Sequence, residues 1–380
     1  MIVAVDVRSL MEGRRSGVEV YTTELLRALV RLYPEHTWRL FYNSWRPVEL
    51  PSFGGNVEVC GWRYPNKLLN VSQLAGRWPR WDQLVAADVF FVPNMRLVPL
   101  APATPLVVTA HDLSFARFPE FYSIKRRVWH RVMQPRRLME RATRVIAVSQ
   151  ATAADVTTLY DVPAERVRVV YSGVHVTHPA RSAAAVRAKY NLPAPYILFL
   201  GTQEPRKNVV SIMRAFSEVA DRIPQDLVIA GLPGWLMRDI RRTQQSVAAS
   251  HRIHFVGAVP EQNKPALYEM ADLFVYPSFY EGFGFPPLES LLVGTPVVVS
   301  RNSALAEVVG EWATLIDPYQ PGELAVVLRE LLAEGPPPRV PLAARQAVAA
   351  RYSWERAARE TLAVLEEAAG VPALSTRAVA

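Results

Sequence analysis

Two carboxylates with seven residues between them, Glu281 and Glu289, stand in the frame Phe279-Tyr280-Glu281-Gly282-Phe283-Gly284-Phe285-Pro286-Pro287-Leu288-Glu289. Proline is tolerated in the first turn of a helix, so Pro286-Pro287 followed by Leu288 to Val293 predicts a helix of about two turns, which Gly294-Thr295-Pro296 stops. Glu281 then sits in the incoming loop and Glu289 on the first turns. Between them Gly282 and Gly284 let the backbone approach a ligand, and unpaired N–H groups with the helix dipole favour an anion. Anion-binding amides beside two carboxylates suit a ligand that carries both phosphates and hydroxyls, as a nucleotide sugar does. The same residues would also serve as a tight turn followed by a glutamate that complements the dipole.

Elements with the right period surround this frame. Leu273 to Tyr276 reads as a short buried strand leading into it. Arg206 and Lys207 follow a strand from Tyr196 to Leu200 and precede an Asn208-capped helix from Val209 to Val219. Cations at a helix start oppose the dipole, whereas on a departing diphosphate they would neutralise developing charge, stabilisation worth about 3–4 kcal/mol per group. Further on, Leu227 to Ala230, Ile253 to Val256 and Val297 to Val299 read as strands, and Trp235 to Val247 and Pro265 to Met270 as helices. Such alternation predicts a parallel sheet covered on both faces. The first half reads similarly. Strands are expected at Ile2 to Val7, Thr37 to Tyr42, Val57 to Cys60, Pro105 to Ala110, Arg144 to Val148 and Val167 to Tyr171. A helix from Val18 to Leu32 turns Tyr21, Leu25, Leu29 and Leu32 to one side. Gly17 ends the loop before that helix, His111-Asp112 ends the fourth of these strands, and Ser149 caps a helix that starts at Gln150. Residues 177–194 read as a linker between domains at 1–176 and 195–352, and helices are expected near 341–351 and 354–368, before a tail from Leu374.

At 380 residues, half of them hydrophobic, the chain can fill two ordinary cores. The apolar run Met1 to Val5 is too short for a secretory leader, and no run reaches the ~18 apolar residues of a membrane span. Cys60 is the only cysteine, which suits a reducing, cytoplasmic setting. Charge is uneven. Residues 1–180 hold 23 Lys+Arg against 15 Asp+Glu, and residues 181–380 hold 20 against 20. The excess points to an anionic partner of the first half or to an arginine-rich solvated face. From Ser123 to Arg137, Lys125, Arg126, Arg127, Arg131, Arg136 and Arg137 interleave with Val128, Trp129, Val132 and Met133, a pattern of helices that lie on anionic membranes. Between Trp62 and Trp81, aromatics alternate with Arg63, Lys67, Arg77 and Arg80, as in an interface or a cap on a core.

The Glu281 to Glu289 frame resembles the signature of retaining glycosyltransferases of the GT-B fold, family 4. Gly201-Thr202-Gln203-Glu204-Pro205-Arg206-Lys207-Asn208, His111-Asp112-Leu113-Ser114-Phe115 and Gly257-Ala258-Val259-Pro260 fall in that family's order, and the resemblance runs from about Met1 to the Trp354 region. It implies an α/β architecture of two Rossmann-like domains, the last helix (354–370) packing back on the first. It implies that Arg206 and Lys207 hold the donor diphosphate and Glu289 the ribose hydroxyls. Glu281 with the backbone from Gly282 through Phe283 and Gly284 to Phe285 would take the donor sugar, which His111 contacts from the other domain. Val256, Gly257 and Val259 would lie along the base, and Gly17, Ser149 and Leu288 beside the donor. The chain departs from the family at Glu19, where a second glycine is usual, at Ser172 in place of asparagine, and at Thr202 where some members carry an arginine. No Asp-x-Asp pair occurs to hold a metal, so transfer without metal or other cofactor is expected, with retention at the anomeric carbon. The Glu-Pro-Arg-Lys-Asn variant resembles mannosyl- and rhamnosyltransferases of cell-surface polysaccharide assembly. GDP-mannose is the expected donor, with UDP- or dTDP-sugars as alternatives, and the acceptor a glycan or lipid-linked glycan, reached at the inner face of a membrane. An epimerase on the same fold is the rival class. A nicotinamide enzyme lacks its Gly-x-Gly-x-x-Gly, and no nucleic acid is expected as partner.

Overall fold

The computed structural model describes residues 1–11, 17–45, 48–65, 69, 72, 79–176 and 182–371. The chain divides into two compact units and passes between them repeatedly. Met1–Leu113, Arg127–Gly173 and the chain from Tyr352 form the first, and Ser114–Arg126 with Val174–Arg351 form the second. Chain order alone would put Ser114–Arg126 in the first domain; packing puts it in the second.

The first unit is built on a parallel sheet of seven strands in the order β3-β2-β1-β4-β5-β6-β7. These are β1 (Ile2–Asp6), β2 (Thr37–Asn43), β3 (Val57–Trp62), β4 (Val89–Val92), β5 (Leu106–Ala110), β6 (Arg144–Ala147) and β7 (Val167–Val169). The middle strands β4 and β5 are buried at every residue, as continuous apolar runs covered on both faces must be. β4 is an addition to the strands expected from sequence, and it occupies the position beside β1. Helix Gly17–Leu32 turns Tyr21, Leu25 and Leu29 inward, while Leu32, expected on the same face, is exposed. Trp81 is fully buried against Phe41 and under the Arg8 guanidinium, so this end of the aromatic segment caps a core. Lys67, Arg77 and Trp78 lie outside the described residues.

Helix Trp354–Ala369 belongs to the first unit and packs on helix Gly17–Leu32, where Arg31 pairs with Glu355. Trp354 lies edge-on to Tyr21 at 6.1 Å and presses on Gly173, where a Cβ would come within 2.4 Å of the Trp354 nitrogen. Only glycine fits there.

The second unit carries a parallel six-stranded sheet in the order β10-β9-β8-β11-β12-β13. Its strands are β8 (Tyr196–Leu200), β9 (Asp226–Ala230), β10 (Ile253–Gly257), β11 (Leu273–Tyr276), β12 (Val297–Ser300) and β13 (Thr314–Ile316). From β8 the chain first builds outward through β9 and β10, then returns to β11 on the other side. The crossovers diverge between β8 and β11, which leaves a crevice outside their carboxyl ends. Within the expected linker, residues 183–190 form a helix capped by Ser182, while 177–181 lie outside the described residues. The helix expected from Trp235 begins at Arg238, because Leu236 takes a left-handed conformation (φ 54°). No helix among the described residues is long and apolar enough to cross a membrane.

Candidate active site

The crevice between β8 and β11 is filled by charge. Pro205 opens a single 3-10 turn, Pro205–Lys207, and Asn208 ends it in the left-handed region (φ 56°). Asn208 does not cap the following helix as expected. Its amide instead donates to the Pro277 and Pro318 carbonyls at 3.2 and 3.3 Å, tying the turn to the loops after β11 and β13. The Phe279 N–H donates to the Arg206 carbonyl at 2.8 Å, a second tie to the loop after β11. Arg206 and Lys207 are thereby aimed at Glu281. Lys207 Nζ lies 2.5 Å from Glu281 Oε1 and Arg206 Nη1 lies 2.9 Å from Oε2, with all three side chains buried. Arg206 also donates to the Tyr280 carbonyl at 2.6 Å and to Glu204 Oε1 at 2.8 Å, and Lys207 donates to the Tyr276 hydroxyl. From the first position of the helix after β12 (Ser303–Val309), Ser303 Oγ accepts from the Glu281 N–H at 3.0 Å.

Burial works against every charge here, and the outcome differs residue by residue. It raises the Glu281 carboxyl, but Arg206 and Lys207 outweigh it and bring the group down to about 2. For Lys207 burial wins: its ammonium is held below the usual lysine range although Glu281 pushes the other way. Glu204 is raised by burial, which Arg206 and Lys207 only partly offset. Two cations and two carboxylates thus form a buried set of no net formal charge. Burying charges costs several kcal/mol per ion even when they are paired, so such a set is weak evidence for stability and a candidate for function. Sequence reasoning missed Glu204, Tyr276 and Ser303; Glu204 stood in the quoted frame, two residues before Arg206.

Helix Phe285–Val293 carries Pro286 and Pro287 in its first turn, as expected, with Gly284 as its N-cap at φ 116°. Gly282 and Phe283 are buried, and the Phe283 and Phe285 rings meet at 5.2 Å. Glu289 is half-buried on this helix and accepts from the Tyr268 hydroxyl at 2.8 Å. Burial raises its carboxyl, with Lys264 pulling the other way. Leu288 points into the core, and its N–H is taken by the Gly284 carbonyl. Val256, Gly257 and Val259 stand at the carboxyl end of the edge strand β10, all half-buried, with Gly257 at φ 71°.

In the first unit, His111 follows β5. Its Nε2 lies 2.7 Å from the Pro93 carbonyl, which can only accept, so Nε2 carries the hydrogen. Burial keeps the ring below the usual histidine range, hence neutral, with Nδ1 an acceptor. Its ring meets Tyr21 edge-on at 4.7 Å. Ser149 caps its helix as expected, its buried hydroxyl accepting from the Thr152 N–H at 3.1 Å and donating to Thr152 Oγ1 at 3.1 Å. Gly17 is the exposed first residue of its helix. Among the described residues, no three His, Cys, Asp or Glu side chains gather as a metal site would need.

Two doubly wound parallel sheets, one with a buried cation–carboxylate set at its switch point, define an α/β protein of two Rossmann-like units. Residues 183–351 match the family model described as glycosyl transferases group 1, and residues 15–178 that described as Glycosyltransferase Family 4. The O-antigen chain mannosyltransferase B of Escherichia coli is 30% identical over 262 residues, covering 67% of this chain and 68% of that protein. The serotype-specific mannosyltransferase WbdA of Escherichia coli is 30% identical over 263 residues, 67% of this chain but only 31% of WbdA. Among solved structures, HepE of Anabaena in complex with UDP and glucose matches with a TM-score of 0.67 at 18% identity, over 97% of this chain and 100% of that one, which shows a shared fold. The chain belongs to the family 4 glycosyltransferases of the GT-B fold.

Proposed function

We propose that this glycosyltransferase moves a mannosyl residue from GDP-mannose to a glycan or lipid-linked glycan in cell-surface polysaccharide assembly, with retention at the anomeric carbon and without a metal. The two mannosyltransferase relatives support the sugar, and the name of one, an O-antigen chain enzyme, supports the polysaccharide. The observation that carries the chemistry is the buried set of Arg206, Lys207 and Glu281 outside β8 and β11. A diphosphate entering that crevice meets two cations already oriented by Glu281 and Glu204. Charge that builds on the departing phosphate is then met without reorganisation, the arrangement that gives electrostatic catalysis its size. The two cations supply the positive charge that a metal would otherwise bring.

Glu281 held ionised by two cations is a poor nucleophile. It is better suited to accept from hydroxyls of the donor sugar, which favours same-face attack, with the departing phosphate as base, over a covalent intermediate. Glu289, fixed by Tyr268, accepts from the ribose hydroxyls. Neutral His111 offers Nδ1 as an acceptor for a substrate hydroxyl. The same residues would hold a UDP- or dTDP-sugar, and no observation favours an epimerase.

The test is turnover of several nucleotide sugars with a glycan acceptor, the product anomer read by NMR. Lys207→Ala is expected to lower kcat/KM by about 10²–10³, and Glu289→Ala to raise donor KM by the equivalent of about 1–3 kcal/mol. Activity is expected to survive exhaustive chelation. A folded Lys207→Ala enzyme with normal turnover, an inverted product, or loss on chelation restored by Mg²⁺ would each overturn a part of the reading.

A further inference from the structure

Helix Ile124–Met133 contains no buried residue. At about 100° per residue, Ile124, Val128 and Val132 fall on one narrow stripe, with Arg127 and Arg131 along one edge and Lys125 and Trp129 along the other. Arg126 falls on the opposite side. There its guanidinium lies 3.8 Å from the centroid of the Trp235 ring. Trp235 is itself fixed: its Nε1 donates to the Phe121 carbonyl at 2.6 Å, and its ring stacks on Tyr122 at 5.7 Å. The helix is therefore pinned by a cation, and its apolar stripe turns away from the pin into solvent. Ile124 is 78% exposed, Val128 57%, Trp129 51% and Val132 40%.

Single exposed apolar residues are ordinary, but four on one short helix are a contiguous surface that wants a partner. The flanking charges say which. Lys125, Arg127 and Arg131 carry no ion pair among the described residues, and they border the stripe on both sides. Protein interfaces are depleted of charge at their centres, whereas this narrow apolar strip is edged on both sides by cations of one sign. A bilayer surface matches that pattern: apolar side chains enter at the level of the acyl-chain ends, an indole sits among the headgroups, and long cations reach back to lipid phosphates. We propose that helix Ile124–Met133 docks on an anionic membrane leaflet with Ile124, Val128 and Val132 inserted, Trp129 at the headgroups, and Lys125, Arg127 and Arg131 on the phosphates.

This revises the expectation that six cations from Ser123 to Arg137 would share the work. Arg126 is stacked on Trp235. Beyond the left-handed break at Gln134, Arg136 pairs with Glu140 and Asp161, and Arg137 bonds to Gln134. Three cations and a short stripe give weak, reversible, salt-sensitive attachment. Vesicle binding is read without nucleotide sugar, so the surface stands or falls apart from the donor site.

The experiment is co-sedimentation of the full chain with vesicles of phosphatidylcholine alone and of phosphatidylcholine mixed with phosphatidylglycerol, across a salt series. Binding to the mixed vesicles at low salt is expected, weakening as salt rises. Arg127→Glu with Arg131→Glu is expected to lower the partition coefficient at least about tenfold. Val128→Asp is expected to abolish binding, because it puts a carboxylate into the inserted stripe while the three cations stay in place, and, being at an exposed site, to leave the Tm unchanged. Brominated lipids should quench a fraction of the tryptophan emission that is absent in Trp129→Phe. No binding at low salt, binding indifferent to Val128→Asp, or a self-association that Val128→Asp disrupts in place of vesicle binding would overturn the proposal.

Discussion

Glu281 is held between Lys207 and Arg206, whose ammonium and guanidinium approach its two carboxylate oxygens at 2.5 and 2.9 Å. Their identities and frames suffice to suggest a diphosphate-and-hydroxyl site. What the frames do not reveal is that Arg206 and Lys207 come already paired with Glu281, because nothing local links residues on two different loops. That pairing has a pH consequence. A carboxylate depressed to about 2 contributes stability that is fully present above its unfolded value of about 4.3 and is lost progressively as pH falls from there through about 2. Glu281 is thus ionised throughout the working range. Lys207 is held low by burial and partly restored by Glu281, so its loss of a proton belongs to the basic limb of activity. Glu281→Gln removes the restoring charge, and the basic limb of kcat/KM is expected to move to lower pH. A pH–rate profile with that limb unmoved would show that Lys207 is not the group being titrated. Glu204 escaped notice because a carboxylate two residues before an arginine looks like a surface pair; only burial of both makes it part of the site.

At the scale of elements, long apolar runs and punctuation were readable and short ones were not. Tyr196 to Leu200 and Val209 to Val219 fall where periodicity puts them. Val89–Val92 is only four residues, bounded by Asp88 and Pro93, too short to show a period, yet it is β4 beside β1. Helix Ala183–Tyr190 was hidden by a proline- and alanine-rich stretch that reads as linker, although Ser182 is an ordinary cap. Leu288 illustrates a further limit. It lies inside a frame that suggests ligand contact, but on a buried face its side chain is core. Gly284 is the reverse case, where backbone geometry matters more than contacts. Its φ of 116° is open to glycine almost alone, and an added Cβ would come 2.8 Å from Leu305 Cδ2. Gly284→Ala is expected to cost about 1–3 kcal/mol, lowering the Tm by about 2–8 °C and raising donor KM as the helix start shifts. Calorimetry with a donor titration checks both. A variant with unchanged Tm and KM would show that the helix start does not depend on that conformation.

Chain order misleads most over the whole molecule. Each unit is assembled from separated stretches, and Ser114–Arg126 packs with the second although both its neighbours in sequence belong to the first. No periodicity reveals such an exchange, because a helix pattern tells which face is buried and not against what. The final helix is the clearest case with an energetic consequence. Trp354, Leu362, Val364 and Leu365 are buried in the first unit, at about 1.5–3 kcal/mol each. Their sum, about 6–12 kcal/mol, rivals the whole stability of an ordinary domain, about 5–15 kcal/mol. Ending the chain at Arg351 also uncovers Tyr21 and Gly173, on which Trp354 rests. The second unit, by contrast, keeps all six of its strands. Truncation after Arg351 is therefore expected to abolish hydrogen-exchange protection in β1, β4, β5 and β6 while β8 to β12 stay protected and still bind the nucleotide diphosphate. Equal loss in both sheets would mean that the second unit cannot stand without the first. Retained protection in β1 and β4 would mean that the last helix contributes far less than its buried area implies.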